Sequence, residues 1–304
     1  MKSHKAIIKA SIVGIVVNAI LALTKIGAGF WGNSLAVIGD GIDSSTDVAT
    51  YVITLFAARI MLRPPNPMFP YGYKRAEAIA TKMLSFFIFF VGAQLVMSSV
   101  WRLWTGAESQ PIRKIALIVT LFSVFVKLGL SWWQMKQGKS SGSKMLIANA
   151  KNMQSDIVLS LGVLVGISLS YVTGISWLDP FVAVLVGLWI LKVAFDLFWE
   201  TSAELMDSNN DPDVYRKIFE AVASVAGAHN PHKARARKMS NLWVIDLDIE
   251  VEAELPMSEV HKIGVAVEKA IKERVENVYD IMIHFEPMGN EEKERFGVEY
   301  HHVT

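Results

Sequence analysis

The sequence predicts a membrane all-α bundle of six transmembrane helices, followed by a small C-terminal α+β domain. Of its 304 residues, 52% are hydrophobic, and the mean hydropathy of +0.34 is too high for an ordinary soluble domain of this size. Apolar runs of about 20 residues, the length that crosses about 30 Å of hydrocarbon, all lie before residue 201. The last third is more polar, and its apolar residues recur with the periods of amphipathic helices and strands.

The six apolar runs are separated by short links. Their approximate limits are 8–30, 35–60, 78–103, 112–134, 146–173 and 178–199. Lys and Arg favour the N-terminus and the second and fourth links, with Arg113 and Lys114 as the exception. The positive-inside rule therefore predicts a multi-pass protein of the cell (inner) membrane with both termini in the cytoplasm.

The polar last third predicts two helices and three strands in the order α-β-β-α-β. The predicted elements cover 211–225, 232–239, 243–252, 258–275 and 281–285. This order is typical of a small sheet with its helices on one face. The chain is thus expected to divide into a transmembrane helical domain (1–204), a cytoplasmic α+β domain (205–290) and a charged, mobile tail (291–304).

The net charge of +1 conceals a strong asymmetry. Residues 205–304 contain 12 Lys and Arg against 19 Asp and Glu, whereas residues 1–204 contain 18 against 10. An acidic domain beside a basic membrane part argues against nucleic acid as a partner. The acidic domain either attracts cations or is simply a solvated surface. Since the chain has no cysteine, a metal ion would need imidazole, carboxylate, amide or carbonyl ligands.

Polar residues inside two of the apolar runs are the strongest candidates for a functional site. A carboxylate within a membrane span costs at least about 2.5–3.5 kcal/mol, so it requires a partner or a role. Asp40, Asp43 and Asp47 share one face of the second helix, and Asn152 and Asp156 lie four residues apart on the fifth. The two four-residue pairs could supply four oxygen donors to one cation, with Asp40 as an accessory ligand. The alternative is that these groups line a polar crevice or cap helix ends.

Three motifs resemble those of the cation diffusion facilitator family. They are DSSTD at 43–47, NMQSD at 152–156 and YGYKRAE at 71–77. The resemblance extends from the first span to about Pro287. It implies a homodimeric exporter that exchanges a divalent cation for protons by alternating access, and a cytoplasmic domain of ferredoxin-like, metallochaperone-like fold. It also implies that Asp43, Asp47, Asn152 and Asp156 form the transport site.

Asn152 departs from the family pattern, because zinc transporters of the family usually carry His there. Imidazole suits zinc, whereas carboxylate and amide oxygens suit harder ions. The all-oxygen set therefore favours Mn²⁺ as cargo, with Fe²⁺, Co²⁺ and Zn²⁺ behind it. Because Asn152 cannot bind a proton, proton coupling would depend on Asp43, Asp47 and Asp156.

The resemblance also implies a regulatory metal site in the cytoplasmic domain. Its expected ligands, at positions that bind metal at the dimer interface in relatives, are His229, Asp248, His261, His284 and Glu286. The alternative is that these are ordinary surface groups.

A basic residue that opens the third helix pairs with an acid after the sixth in relatives. Arg75 and Asp207 match those places and are expected to couple the two domains. A metal-gated cation channel and a membrane metal sensor remain alternatives to a transporter. No nucleophile accompanies the Asp pairs, so neither an enzyme nor an organic cofactor is expected.

Overall fold

The computed structural model describes residues 2–105, 112–141, 144–209, 211–239, 242–289 and 297–298. Six long helices come first: α1 (Lys2–Trp31), α2 (Leu35–Met61), α3 (Ala76–Thr105), α4 (Lys114–Ser141), α5 (Lys144–Thr173) and α6 (Leu178–Leu205). Five shorter elements follow: α7 (Asp213–Ala223), β1 (His229–Met239), β2 (Leu242–Val251), α8 (Met257–Arg274) and β3 (Val278–Pro287).

The chain divides into two compact units. The helical unit comprises Met1–Arg59 and Ala80–Trp199, and the C-terminal unit comprises Ile60–Ile79 and Glu200–Thr304. The link between α2 and α3 therefore groups with the C-terminal unit, whereas the sequence placed it in the membrane domain.

Within the part of the chain that the structure describes, five helices are long and apolar enough to cross a membrane, and α2 is the long helix that is not among them. The three aspartates of α2 lower its hydropathy. The prediction of six spans therefore depends on α2, which is also a helix that carries the candidate site. Large apolar side chains on the other helices, such as Phe90, Trp101 and Phe122, are exposed. Exposed aromatic and aliphatic side chains are what a surface against lipid requires, since lipid tails are themselves apolar.

Small residues bring neighbouring helices close to Asp40. A Cβ atom at Gly41 would lie 2.9 Å from the backbone nitrogen of Ile26, and one at Gly39 would lie 2.8 Å from side-chain atoms of Leu95 and Val186. Glycine at these two positions thus allows α1, α3 and α6 to approach α2 closely.

The start of α2 is fixed by hydrogen bonds to two side chains. The backbone N–H of Val37 donates to Ser34 Oγ at 3.2 Å. The carboxylate of Asp179, at the start of α6, accepts from the N–H of Leu35 at 2.8 Å and from the Ser34 hydroxyl. An anion at a helix N-terminus is stabilised by the helix dipole. Asp179 thus fixes the point at which α2, the helix that carries the candidate aspartates, begins. Sequence reasoning did not identify this residue.

The C-terminal unit is a three-stranded sheet of order β1-β2-β3 with two helices, which confirms the predicted αββαβ order. The β1 and β2 strands are antiparallel, and β2 and β3 are parallel. One face of the sheet packs on α7 and α8 in a core that includes Phe219, Leu247, Ile249 and Ile271. Because side chains alternate along a strand, Asp248 and Glu250 of β2 lie on the opposite face.

The tail falls largely outside the described residues. Where it is described, Val298 exchanges two backbone hydrogen bonds with Ala234, of 2.9 and 3.0 Å. At this point the tail is paired with β1, and the mobility of the tail stays a prediction.

Candidate metal sites

The first candidate site lies between α2 and α5. Asn152 Nδ2 donates to Asp47 Oδ1 across the two helices at 3.4 Å. Asp43 is buried, and electrostatic interactions link Asp43, Asp47 and Asp156. The hydrogen bond thus connects α2 and α5 at Asn152 and Asp47, and the three aspartates lie close enough for their charges to interact. The spacing of four residues within each pair places its two members on one side of their helix, since residues one turn apart share a face.

A buried lysine also belongs to this site. Lys127 on α4 has no exposed side-chain surface, and its Nζ atom lies 3.3 Å from Asp156 Oδ2. Lys127 lies within the fourth apolar run of the sequence, but the sequence does not indicate its partner. The ammonium group compensates part of the charge of the three carboxylates.

Asp40 forms an ion pair with a different lysine. Lys25 Nζ on α1 lies 2.7 Å from Asp40 Oδ2, and both side chains are buried. Ser160 Oγ donates to Asp40 Oδ1 at 2.6 Å, and Lys25 Nζ donates to Ser160 Oγ at 3.0 Å. These contacts favour an ion pair within the bundle over the accessory metal ligand that the sequence predicts for Asp40.

The second candidate site lies on the sheet face opposite α7 and α8. The possible ligand atoms of His232, Asp248 and Glu286 all lie within 4.8 Å of one another, and among the described residues this is the one such group of His and acidic side chains. His232 Nε2 is 3.3 Å from Glu286 Oε2. One imidazole nitrogen and two carboxylate oxygens form a donor set suited to a divalent transition metal. We call these three residues the sheet cluster.

The sheet cluster contains two of the five cytoplasmic ligands that the sequence predicts. Asp248 and Glu286 belong to it. His284 is next to it, with Nε2 3.8 Å from Glu286 Oε1 and a mostly exposed side chain. His229 pairs with Glu250, which lies two residues beyond Asp248 on β2. His261 lies on α8, which packs on the other face of the sheet, so it does not join the cluster within one chain.

Sequence reasoning missed His232 because β1 is irregular. His229 is opposite Glu250, His232 is opposite Asp248, and Arg235 is opposite Asp246. Each step of three residues along β1 therefore corresponds to a step of only two residues along β2. Each irregularity contains a residue with positive φ, Asn230 and Lys233. These two bulges place His232 beside Asp248, and simple alternation along β1 cannot show this.

Lys233, within the second bulge, places an ammonium group on the sheet cluster. Its Nζ atom is 3.5 Å from Asp248 Oδ2 and 3.8 Å from Glu286 Oε1, and the residue is buried. A metal ion bound to these carboxylates would therefore compete with a tethered cation.

Arg75 and Asp207, expected to pair, form an ion pair within the C-terminal unit. Arg75 also donates to the carbonyl of Leu205 at 3.1 Å, and Arg237 Nη1 of β1 lies 3.7 Å from Asp207 Oδ2. One aspartate thus receives an arginine from the α2–α3 link and another from the sheet.

An apolar helical unit that carries several aspartates, joined to a more polar αββαβ unit, is typical of membrane transporters of metal cations. Residues 11–206 match the family model of the cation efflux transmembrane domain, and residues 210–288 match that of the cytoplasmic domain of cation efflux proteins, a dimerisation domain by its family name. The chain belongs to the cation diffusion facilitator family, as its motifs indicate. It is a multi-pass membrane protein whose activity is the efflux of divalent metal cations.

Several curated proteins are similar along almost their whole length. The manganese efflux system protein MneS of Bacillus subtilis is 29% identical over 91% of this chain and 94% of its own. An uncharacterised transporter of Methanocaldococcus jannaschii is 31% identical over 91% of this chain and 96% of its own. The cation-efflux pump FieF of Cronobacter sakazakii is 27% identical over 92% of each chain.

Proposed function

We propose that this protein exports Mn²⁺ in preference to Fe²⁺, Co²⁺ and Zn²⁺, in exchange for protons, by alternating access of a site formed by Asp43, Asp47, Asn152 and Asp156. It does so as a homodimer in the cell (inner) membrane, with both termini in the cytoplasm. The observation that carries the proposal is the contact of 3.4 Å between Asn152 and Asp47. An amide in contact with this carboxylate, where an imidazole would favour zinc, supports a harder ion as cargo.

The names of two relatives support manganese as cargo. MneS and MneP of Bacillus subtilis are both described as manganese efflux system proteins, at 29% and 27% identity. The donor chemistry is independent of those names, since carboxylate and amide oxygens are ligands that Mn²⁺ accepts readily.

Export needs an energy source, because moving a cation outward against a membrane potential costs about 2.3 kcal/mol per charge per 100 mV. Inward movement of protons supplies it. Asn152 has no titratable group, so the protons must bind to Asp43, Asp47 and Asp156 when the metal has left. Two helices carry these ligands, and a change in their relative position would open the site to either side.

The sheet cluster has a separate role in this proposal. His232, Asp248 and Glu286 would hold a regulatory metal ion, with His284 adjacent, and the ion would link strands of one sheet. Binding there reports metal concentration on the cytoplasmic side and does not carry cargo.

The test of cargo preference is transport into proteoliposomes from mixtures of Mn²⁺ and Zn²⁺. Asn152→His should shift the preference toward Zn²⁺, because it adds an imidazole to the site. Gln154→His is the matched control: Gln154 is exposed, and at two residues from Asn152 it points to another side of α5. An unchanged metal profile in Asn152→His would overturn the argument for manganese.

The test of coupling is the same assay with an imposed pH gradient. A gradient that drives protons against the direction of metal movement should accelerate Mn²⁺ transport. Transport that ignored the gradient would contradict antiport, and flux far above carrier rates would indicate a channel.

A further inference from the structure

Lys127 brings an ammonium group to the transport site. It is buried on α4, with Nζ 3.3 Å from Asp156 Oδ2. Its charge also acts on Asp43 and Asp47. An ammonium group has no lone pair, so it cannot be a metal ligand. Its effect on a bound cation is therefore electrostatic.

The charge of the site follows from counting these groups. Asp43, Asp47 and Asp156 bring three negative charges when ionised, and Lys127 brings one positive charge. Lys25 and Asp40 cancel each other, because their charged atoms are 2.7 Å apart. The ionised site thus has two excess negative charges.

We propose that Lys127 matches the transport site to a divalent cation by setting its net charge. A divalent ion makes the complex neutral, whereas a monovalent ion leaves one negative charge and a trivalent ion one positive charge. Uncompensated charge is costly in a buried, low-dielectric site. This inference rests on the proposed function, since it assigns a specificity-determining residue to the same site.

A second consequence concerns release of the cargo. Three carboxylates without a counter-charge would hold a divalent ion more tightly than export permits, because the ion must leave the site on the outer side. Repulsion between Lys127 and the bound ion weakens binding, so the lysine contributes to turnover as well as to charge selection.

The test measures equilibrium binding rather than transport. Full-length protein in nanodiscs is titrated with Mn²⁺, with free Mn²⁺ measured by its EPR signal, and La³⁺ is then added as competitor. Binding at the transport site is the part that is lost in Asp47→Ala, which separates it from the sheet cluster. Lys127→Met should lower the Mn²⁺ dissociation constant about tenfold, and that of La³⁺ about thirtyfold, because the Coulomb energy scales with the charge of the ion.

Matched variants separate charge from packing. Lys127→Arg keeps the charge, and its ratio of La³⁺ to Mn²⁺ affinity should stay at the wild-type value. Lys127→Gln is a second neutral variant and should show the same shift as Lys127→Met. Lys192→Met is the control on another membrane helix, where an exposed lysine pairs with Asp196 at 2.6 Å, and it should change neither affinity.

Two failures are distinguishable. If Asp47→Ala bound Mn²⁺ as the wild type does, both the site assignment and the role of Lys127 would be overturned. In the second case, Asp47→Ala loses binding, but neither neutral variant of Lys127 has a higher ratio of La³⁺ to Mn²⁺ affinity than the wild type. Only the charge-matching role of Lys127 would then be wrong. An equal shift in Lys127→Arg and Lys127→Met would have the same meaning, because it would show an effect of packing.

Discussion

The transport site and the sheet cluster both join carboxylates to a buried lysine, but they are built on different supports. The transport ligands come from two separate helices, linked by the Asn152–Asp47 contact of 3.4 Å. The sheet cluster comes from three hydrogen-bonded strands, and its ligand atoms already lie within 4.8 Å of one another. Helices that can shift relative to each other suit an ion that must be taken up and released. A fixed sheet suits an ion that stays.

The ligand atoms of the two sites also differ, and this difference agrees with release of the ion at one site and its retention at the other. The transport site offers carboxylates and one amide, whereas the sheet cluster includes the imidazole of His232. Nitrogen ligands generally bind later divalent transition metals more tightly than oxygen ligands do. This difference supports our proposal that the first site holds its cargo weakly and that the second retains its ion.

The largest expected effect separates the two sites by function. Asp156→Ala should reduce Mn²⁺ transport in proteoliposomes to the level of protein-free liposomes, because it removes a ligand and leaves Lys127 unpaired. Glu286→Ala should keep most of the transport, because it alters only the sheet cluster. Loss of transport in both variants to the same extent would break the distinction between cargo site and regulatory site.

The second effect concerns the stability of the helical unit. Lys25→Met leaves Asp40 buried without a counter-charge, and breaking a buried pair in this way costs about 3–5 kcal/mol. The double variant Lys25→Met/Asp40→Leu should recover much of that loss. Thermal unfolding in detergent is the measurement, and Lys192→Met, at an exposed pair, should change stability by less than about 1 kcal/mol. Equal destabilisation by Lys25→Met and Lys192→Met would contradict a structural role for the buried pair.

The third effect tests the lysine in the sheet cluster. Lys233→Met removes a cation that lies 3.5 Å from Asp248 Oδ2, so metal affinity of the cluster should rise about tenfold. The measurement is metal binding to the full-length protein carrying Asp47→Ala, which removes the transport site. Lys262→Met is the control, since Lys262 is exposed on α8 and pairs with Glu259. Unchanged affinity in Lys233→Met would show that Lys233 does not compete with metal.

The smallest effect is at the surface of α7. The pKa of Asp213 is lowered by hydrogen bonds from Arg216 and Lys217. Because this pKa is lower in the folded than in the unfolded state, the ionised carboxylate stabilises the fold at pH values above its unfolded-state pKa. This stabilisation is lost as the pH falls through the folded-state pKa. Asp213→Asn should therefore lower Tm by about 1 °C or less at pH 7 and leave it unchanged at strongly acidic pH, because the pair is exposed. A larger decrease at acidic pH than at neutral pH would contradict this sign.

The sequence predicts much of the fold and of the transport site because both depend on local periodicity. Apolar runs separate the helical bundle from the αββαβ domain, and the spacing of four residues aligns Asp43 with Asp47 and Asn152 with Asp156. Lys127 could not be assigned in this way, since its contact with Asp156 depends on how α4 packs against α5. His232 and Lys233 depend on two bulges in β1, which shift the pairing and break the alternation on which strand prediction relies.

The most direct test of the central claim is to detect the nitrogen of a histidine on the metal itself. Full-length protein carrying His232→Ala and Glu286→Ala, to remove the sheet cluster, is loaded with Mn²⁺ and studied by pulsed EPR with ¹⁵N-labelled histidine. The bound Mn²⁺ should show no coupling to histidine nitrogen when Asn152 is present and a clear coupling in Asn152→His. Mn²⁺ that binds to the Asn152→His protein without histidine coupling would contradict the placement of the cargo between α2 and α5.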